Sequence, residues 1–331
     1  MNRFKQDEVV EEAQSAAGVG DGIDRRNFLG CMAWAGTGLL WTMAGGVPTS
    51  KLFAQTGHGA ADAAGKAQDF SFVQISDSHI GFNKGANPDV TGTLGKAIMR
   101  ASVIPAGMKG PDFLIHTGDI TQNSKAAEFD TAAQVIKGFK GDVFYVPGEH
   151  DFMDDGAEYK NRFGKGTIGN GWYSYNHKGV HFIGLNNCLQ VDAMGNLGAE
   201  QLAWLKSDLA GLSASTPIIV FAHIPLWMVY EKWGWGTADG AQALALLKRF
   251  GSVTVLNGHI HQVVQKVEGN VAFHTAASTA FPQPAPGSAP NPGPMVVPAG
   301  KLQSVIGVTN VNVVRGSHHL AVVDHMLAEG A

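Results

Sequence analysis

The 331-residue chain has almost no cysteine, no basic excess and no uninterrupted apolar run of membrane-spanning length. The two cysteines are Cys31 and Cys188, and Cys31 falls in an N-terminal stretch read below as removable. The mature chain then holds one thiol, which excludes an internal disulfide framework. A formal charge of −4 with a pI near 6.3 leaves no positive field for gripping nucleic acid or adsorbing to an anionic membrane. From Asn27 to Ser50 no residue is charged, but glycines interrupt the stretch, so it makes a poor stable membrane span. No internal repeat is visible. What remains is an ordinary globular composition, 44% hydrophobic with mean hydropathy near zero, long enough for one large domain or two small ones. Forty-three glycines and fourteen prolines predict many turns and loops.

The N-terminus has its own pattern. A polar, acidic start gives way after Asp24 to Arg25-Arg26-Asn27-Phe28-Leu29-Gly30 and then to the uncharged stretch. Paired arginines before Phe-Leu and a moderately apolar run resemble a twin-arginine export signal. The resemblance implies that residues 1–64 are export signal and linker, that the export machinery is a partner, and that the mature chain, without a stable membrane span, is periplasmic or secreted. The bland alternative is an N-terminal helix packed on the domain. Cys31 precedes the apolar run, which excludes a lipoprotein anchor. Cleavage after Ala54, or between Gly59 and Ala64, fits the composition equally well.

Residues 65–331 alternate short apolar, β-branched runs with segments of helical spacing. Strands are expected at Phe70–Ile75, Asp112–His116, Val143–Val146, His181–Leu185, Pro217–Ala222, Val253–Leu256, Val271–His274 and Gln303–Val314. Helices are expected at Thr93–Val103, Lys125–Phe139, Ala199–Leu209 and Ala238–Arg249. This alternation predicts an α/β domain. Half of the fourteen prolines lie between Phe281 and Pro298, which predicts an extended loop within the domain.

Five expected strands each end in acids or histidines: Ile75-Ser-Asp77-Ser-His79, His116-Thr-Gly-Asp119, Val146-Pro-Gly-Glu149-His150-Asp151, Phe221-Ala-His223 and Asn257-Gly-His259-Ile-His261. In α/β sheets the carboxyl ends of strands are where loops converge on ligands. Two cations about 4 Å apart repel unless an anionic ligand bridges them, and imidazole with carboxylate suits Fe, Mn or Zn. The Asp-x-His and His-x-His spacings would send both side chains toward one centre if the backbone there is extended. Turn-capping aspartates and core histidines are the bland alternative, which five ordered blocks disfavour.

The ordered set D-x-H, G-D, G-E-H-D, H and G-H-x-H resembles the calcineurin-like metallophosphoesterases, whose third block runs G-N-H-[DE], over Phe70 to about His274, with the H-T-G-D-I-T block closest to their cyclic-nucleotide phosphodiesterase-like branch. The resemblance implies a two-sheet β-sandwich flanked by helices, a four-layer α/β/β/α arrangement. It also implies a pair of divalent or trivalent metals and hydrolysis of a small phosphomono- or phosphodiester by a metal-bridging hydroxide. Asp77, His79 and His261 would hold the first metal, Asp119 would bridge, and Glu149, His223 and His259 would hold the second. His150 would protonate the leaving oxygen, oriented by Asp151. Twin-arginine export moves folded proteins, so the metals would be loaded in the cytoplasm. Glu149 departs from the family's asparagine: three carboxylates lower the net charge of a two-dication centre, which would tighten the second site and weaken attraction for phosphate. The rival reading is therefore a non-catalytic metal-binding or interaction protein on the same scaffold, and a third possibility is that Glu149 turns away from the site. His116 is expected to pack or hydrogen-bond behind the ligands, and His58, His177, His181, His274, His318, His319 and His325 to be structural. No ligand role is assigned to Asn123. The aromatic stretch Trp227, Tyr230, Trp233 and Trp235 would either wall the pocket and stack on an apolar or ring-bearing leaving group, or simply be buried.

Overall fold

The computed structural model describes residues 41–44, 47–50, 69–103, 110–189, 194–314 and 320–328. The expected export motif at Arg25-Arg26, Cys31, the expected cleavage points, His58, His318 and His319 lie outside these residues. Two short antiparallel strands, β1 (Trp41–Ala44) and β2 (Val47–Ser50), form a hairpin. Then follow β3 (Phe70–Ile75), α1 (Val90–Ser102), β4 (Phe113–His116), α2 (Ala126–Ile136), β5 (Asp142–Tyr145), α3 (Ala157–Phe163), β6 (Tyr173–His177) and β7 (Val180–Gly184). After these come α4 (Gly198–Ala210), β8 (Ile218–Phe221), α5 (Gly240–Leu247), β9 (Val253–Asn257), β10 (Val264–Glu268), β11 (Val271–Thr275), β12 (Gly307–Val313) and β13 (Leu320–Met326).

One sheet has the order β13-β12-β3-β4-β5, with β3, β4 and β5 parallel; the other runs β10-β11-β9-β8-β7-β6, with β7, β8, β9 and β11 parallel. Side-chain alternation explains why two sheets need two helical layers. In β3, Phe70 and Phe72 face the other sheet while Val73 and Ile75 face the helices. In β8, Ile219 and Phe221 face inward while Ile218 and Val220 meet α4 and α5 through Leu205, Leu209, Ala243 and Leu247. Strands apolar on both faces must be covered on both faces. The inter-sheet layer is aromatic, with the Phe72 ring stacked on Phe113 at 5.0 Å and edge-on to Phe182 at 5.5 Å. Each such buried ring stabilises the fold by about 2–3 kcal/mol. The result is the expected two-sheet sandwich between helical layers.

Helix α1 shows how local signals set an element. Asp89 Oδ1 accepts the Gly92 amide at 2.8 Å, which starts the helix three residues before the expected Thr93. Leu94, Ala97, Ile98 and Ala101 then form its buried stripe. Besides the β1–β2 hairpin, three strands were not expected, β6, β10 and β13, and each is the edge of its sheet. Edge strands lack the two-sided apolar run: β10 reads Val-Gln-Lys-Val-Glu and is largely exposed. The short helix α3 was also not expected. The last expected strand begins at Gly307 instead of Gln303, because Leu302–Ser304 form a 3-10 turn. From Phe281 to Pro298 the backbone has neither helix nor strand. Among the described residues no helix is long and apolar enough to cross a membrane.

Candidate metal centre

The five blocks follow five strand ends: β3, β4 and β5 of one sheet, β8 and β9 of the other. The backbone there is not extended, which corrects the expectation for Asp-x-His and His-x-His. Asp77, His79, Asp119, His259 and His261 all have φ between 44° and 68°, and they are five of the eight non-glycine residues with positive φ among those described. Such conformations cost about 1–3 kcal/mol each and persist only where the surroundings impose them. Here cross-loop hydrogen bonds impose them: Asp77 N–H to Gly118 O and His79 N–H to Asp119 O, both 2.9 Å, and Gly258 N–H to His223 O at 2.9 Å. The His259 amide donates to Asp77 Oδ1 at 3.1 Å, and the His150 amide to Asp119 Oδ1 at 3.0 Å. Gly118 permits this approach, since a Cβ there would lie 2.6 Å from both Gly148 N and His223 Nδ1.

The side chains gather into overlapping clusters: Asp77, His79 and His261; Asp77, Asp119 and His223; Glu149, His223 and His259; and His79, Asp119 and His150, each with ligand atoms within 4.8 Å of one another. Asp119 Oδ2 lies between two of them, 3.5 Å from His79 Nε2 and 3.4 Å from His223 Nε2. Glu149 points into the site, with Oε2 3.0 Å from His223 Nε2 and Oε1 2.8 Å from His259 Nδ1. Tautomers follow from the outer hydrogen bonds. His261 Nδ1–H donates to Phe281 O and His223 Nδ1–H to Thr117 O, both at 2.6 Å, so both Nε2 atoms face inward. His79 Nε2 and His261 Nε2 approach to 3.1 Å, two ring nitrogens aimed at nearly the same point. His223 Nε2 and both ring nitrogens of His259 are buried without a hydrogen-bond partner. Three carboxylates and four imidazoles converging in this way, with orphaned nitrogens, fit a pair of cations.

Electrostatics agrees. Burial opposes every charge here, yet facing histidines hold the carboxylates below their ordinary range: His261 for Asp77, His223 and His150 for Asp119, His259 and His223 for Glu149. Burial pushes His79 down to about 3 and so keeps it neutral. For His223 and His150, burial is outweighed by Asp119 and Glu149, and both are raised.

Asp151 corrects another expectation. It does not hold the His150 ring; its oxygens accept Ile120 N–H, Thr121 N–H, Thr121 Oγ–H and Gly148 N–H at 2.8–3.0 Å, pinning two loops together. Burial and the nearby Asp119 push its carboxyl up to about 7. The His150 ring is held by Gln122 instead, whose carbonyl accepts Nδ1–H at 2.8 Å. The bonds that orient His150 and His261 have no chemical signature in sequence, since Gln122 and Phe281 make them through main-chain carbonyls. His116 sits behind the site, bonded to Ser78 Oγ at 2.8 Å. His177, His181 and His274 pair with Asp112, Asp208 and Asp324 away from it. Asn123 binds Glu128 at the start of α2. The buried thiol of Cys188 lies 4.0 Å from Glu149 Oε2, a neighbour the sequence did not reveal.

The profile of the calcineurin-like phosphoesterases matches residues 70–263, more than half of the chain and the span that contains all five blocks. The chain belongs to that family. Within this phosphoesterase family it is similar to the 3′,5′-cyclic adenosine monophosphate phosphodiesterase CpdA of Haemophilus influenzae, 26% identical over 58% of this chain and 70% of that one. It is also similar to the glycerophosphodiester phosphodiesterase GpdQ of Enterobacter lignolyticus, 24% identical over 64% of this chain and 78% of that one. A dimetal phosphatase from Danio rerio shares the phosphoesterase fold, with a TM-score of 0.58 and 14% identity over 78% of this chain and 97% of that one.

Proposed function

We propose that this phosphoesterase is a dinuclear metal-dependent hydrolase of small phosphate esters, with Asp77, His79 and His261 around one metal and Glu149, His223 and His259 around the other. The observation that carries the reading is Asp119, whose Oδ2 stands between His79 and His223 at 3.5 and 3.4 Å, the place a bridging carboxylate would take. When bound, the two cations would supply Lewis acidity and a water acidic enough to attack phosphorus at neutral pH. The chain does the rest. Gln122 fixes the His150 ring by its Nδ1–H, so that Nε2 is free to carry a proton to a leaving oxygen. The carboxylates of Asp119 and Glu149 raise His150 toward the protonated form. Asp151, by tying the Gly148 and Ile120 amides together, sets where His150 stands. That two of the similar proteins are named phosphodiesterases supports a diester as the substrate here. The Arg25-Arg26 motif supports twin-arginine export and a periplasmic or secreted site of action.

One observation favours a second reading. Glu149 lies between two ligand imidazoles and adds a third negative charge, which would oppose a phosphate. On that basis a metal-binding protein without turnover is the rival. Hydrolysis of chromogenic mono- and diesters after chelation and reloading with Mn, Zn or Fe decides between them. Turnover that returns with metal is expected. Two bound equivalents with no turnover for any metal would favour the rival. Loading should also raise thermal stability, by about 2.7 kcal/mol per site at metal a hundredfold above Kd.

A further inference from the structure

Two loops, one beginning beside the ligand residues and one leaving a ligand, approach each other. The first begins at Phe281, whose ring lies on His79 at 4.9 Å and on His261 at 4.8 Å while its carbonyl holds His261. It continues as a closed excursion: Met295 N–H donates to Pro282 O at 2.9 Å across its neck, and Gln262, next to His261, donates to Gln283 O and Pro284 O at 3.1 and 2.6 Å. From Phe281 to Gly300 it carries no charged residue. The second loop leaves His223. Trp227 in it packs on Phe273 at 4.7 Å and Trp235 is buried, but Tyr230 and Trp233 are only partly buried and stand edge to face at 5.2 Å. Trp235 braces Trp233 at 5.0 Å, and a tight turn fixes the stack through Val229 N–H to Trp235 O at 2.8 Å. The loops come close at their tips, where a Cβ on Gly287 would lie 3.3 Å from the Tyr230 hydroxyl. The only charges between Trp227 and Trp235 are Glu231 and Lys232, exposed, adjacent and opposite in sign.

We propose that these loops form one wall spanning both halves of the metal centre, which receives the alcohol part of the ester and selects an uncharged, ring-bearing alcohol. The inference rests on the phosphoesterase reading and deepens it. The physical reason is the contrast in charge. The centre itself handles the phosphoryl group, whereas the wall offers aromatic faces and a neutral Pro-rich surface but no net charge for a second anionic group. Half-buried, braced rings lose little side-chain entropy when a ligand ring lies against them.

Calorimetric titration of the metal-loaded protein with phenylphosphonate, ethylphosphonate and 2-carboxyethylphosphonate tests the wall without turnover. Wild type is expected to bind them in that order of decreasing affinity. Trp233→Ala and Tyr230→Ala should each lower the phenyl-to-ethyl affinity ratio by about fivefold, and Trp233→Phe, which keeps a ring, should restore most of it. Circular dichroism confirms that each variant is folded. Hydrolysis of 4-nitrophenyl phenyl phosphate and 4-nitrophenyl ethyl phosphate is measured in parallel. Turnover of both esters with no phenyl preference in binding, or with a preference that both alanine variants keep, overturns the wall alone. A ring-dependent binding preference without hydrolysis of either ester overturns the phosphoesterase reading alone, and no binding of any phosphonate overturns both.

Discussion

The imidazole of His261 donates its Nδ1 proton to the carbonyl of Phe281 across 2.6 Å, while the Phe281 ring lies against both His261 and His79. One residue thus sets the tautomer of one candidate ligand and supports the rings of two. Phe281→Leu keeps the carbonyl but removes the ring. It is expected to weaken one metal equivalent by about tenfold, leaving the other near its wild-type affinity, as read by stepwise metal titration. Equal weakening of both would mean that Phe281 acts on the whole fold.

Glu149 presents both carboxylate oxygens to His223 and His259. Glu149→Asn, which restores the residue usual in the family, should weaken the second metal, because a neutral carbonyl replaces a charge, while hydrolysis is retained or raised. Metal content and turnover measured on the same preparation check this. Lost activity with both metals still bound would show that the carboxylate is required.

Gly118 has φ of 93°, and its α-carbon faces Gly148 N, Pro147 C and His223 Nδ1, so an added methyl has nowhere to go. Gly118→Ala should destabilise the fold by about 2–4 kcal/mol, seen as a lower urea midpoint with an unchanged slope. It should also abolish binding of both metals, since it separates the loops carrying Asp119, Glu149 and His223.

Asp208 on α4 joins β6 and β7 to the helix: its oxygens meet Ser174 Oγ at 2.6 Å and His181 Nε2 at 2.8 Å. Burial opposes its charge, but the bonds from His181 and Ser174 outweigh it and its pKa is lowered. A carboxyl lowered in the folded state contributes stability that is present above its unfolded value, near 4, and lost as pH falls through the folded value. Asp208→Asn should therefore cost about 1 kcal/mol at pH 6, after allowance for solvent screening. The difference from wild type should shrink below about pH 4. Urea denaturation across pH 3–7 measures it, and a pH-independent difference would rule out the charge as its origin.

The family and the two-sheet architecture were legible because they rest on local signals. Buried parallel strands must be apolar on both faces, as in Phe70–Ile75 and Ile218–Phe221, and short polar blocks follow them. Edge strands β6 and β10 were not legible, since a strand paired on one side only tolerates polar residues and loses its apolar run.

Sequence by itself determined which acids and histidines stand at strand ends, and in what order. Only the tertiary structure decided how they meet. The left-handed backbone at Asp77, His79, Asp119, His259 and His261 is unfavourable in isolation and exists because amides and carbonyls of neighbouring loops in each sheet pair with one another, and the His259 amide of one sheet binds the Asp77 carboxylate of the other. The carbonyls of Gln122, Thr117 and Phe281 that orient His150, His223 and His261 are groups every residue possesses, so no residue type could announce them. Their selection is a matter of position, and position was set by packing two sheets face to face.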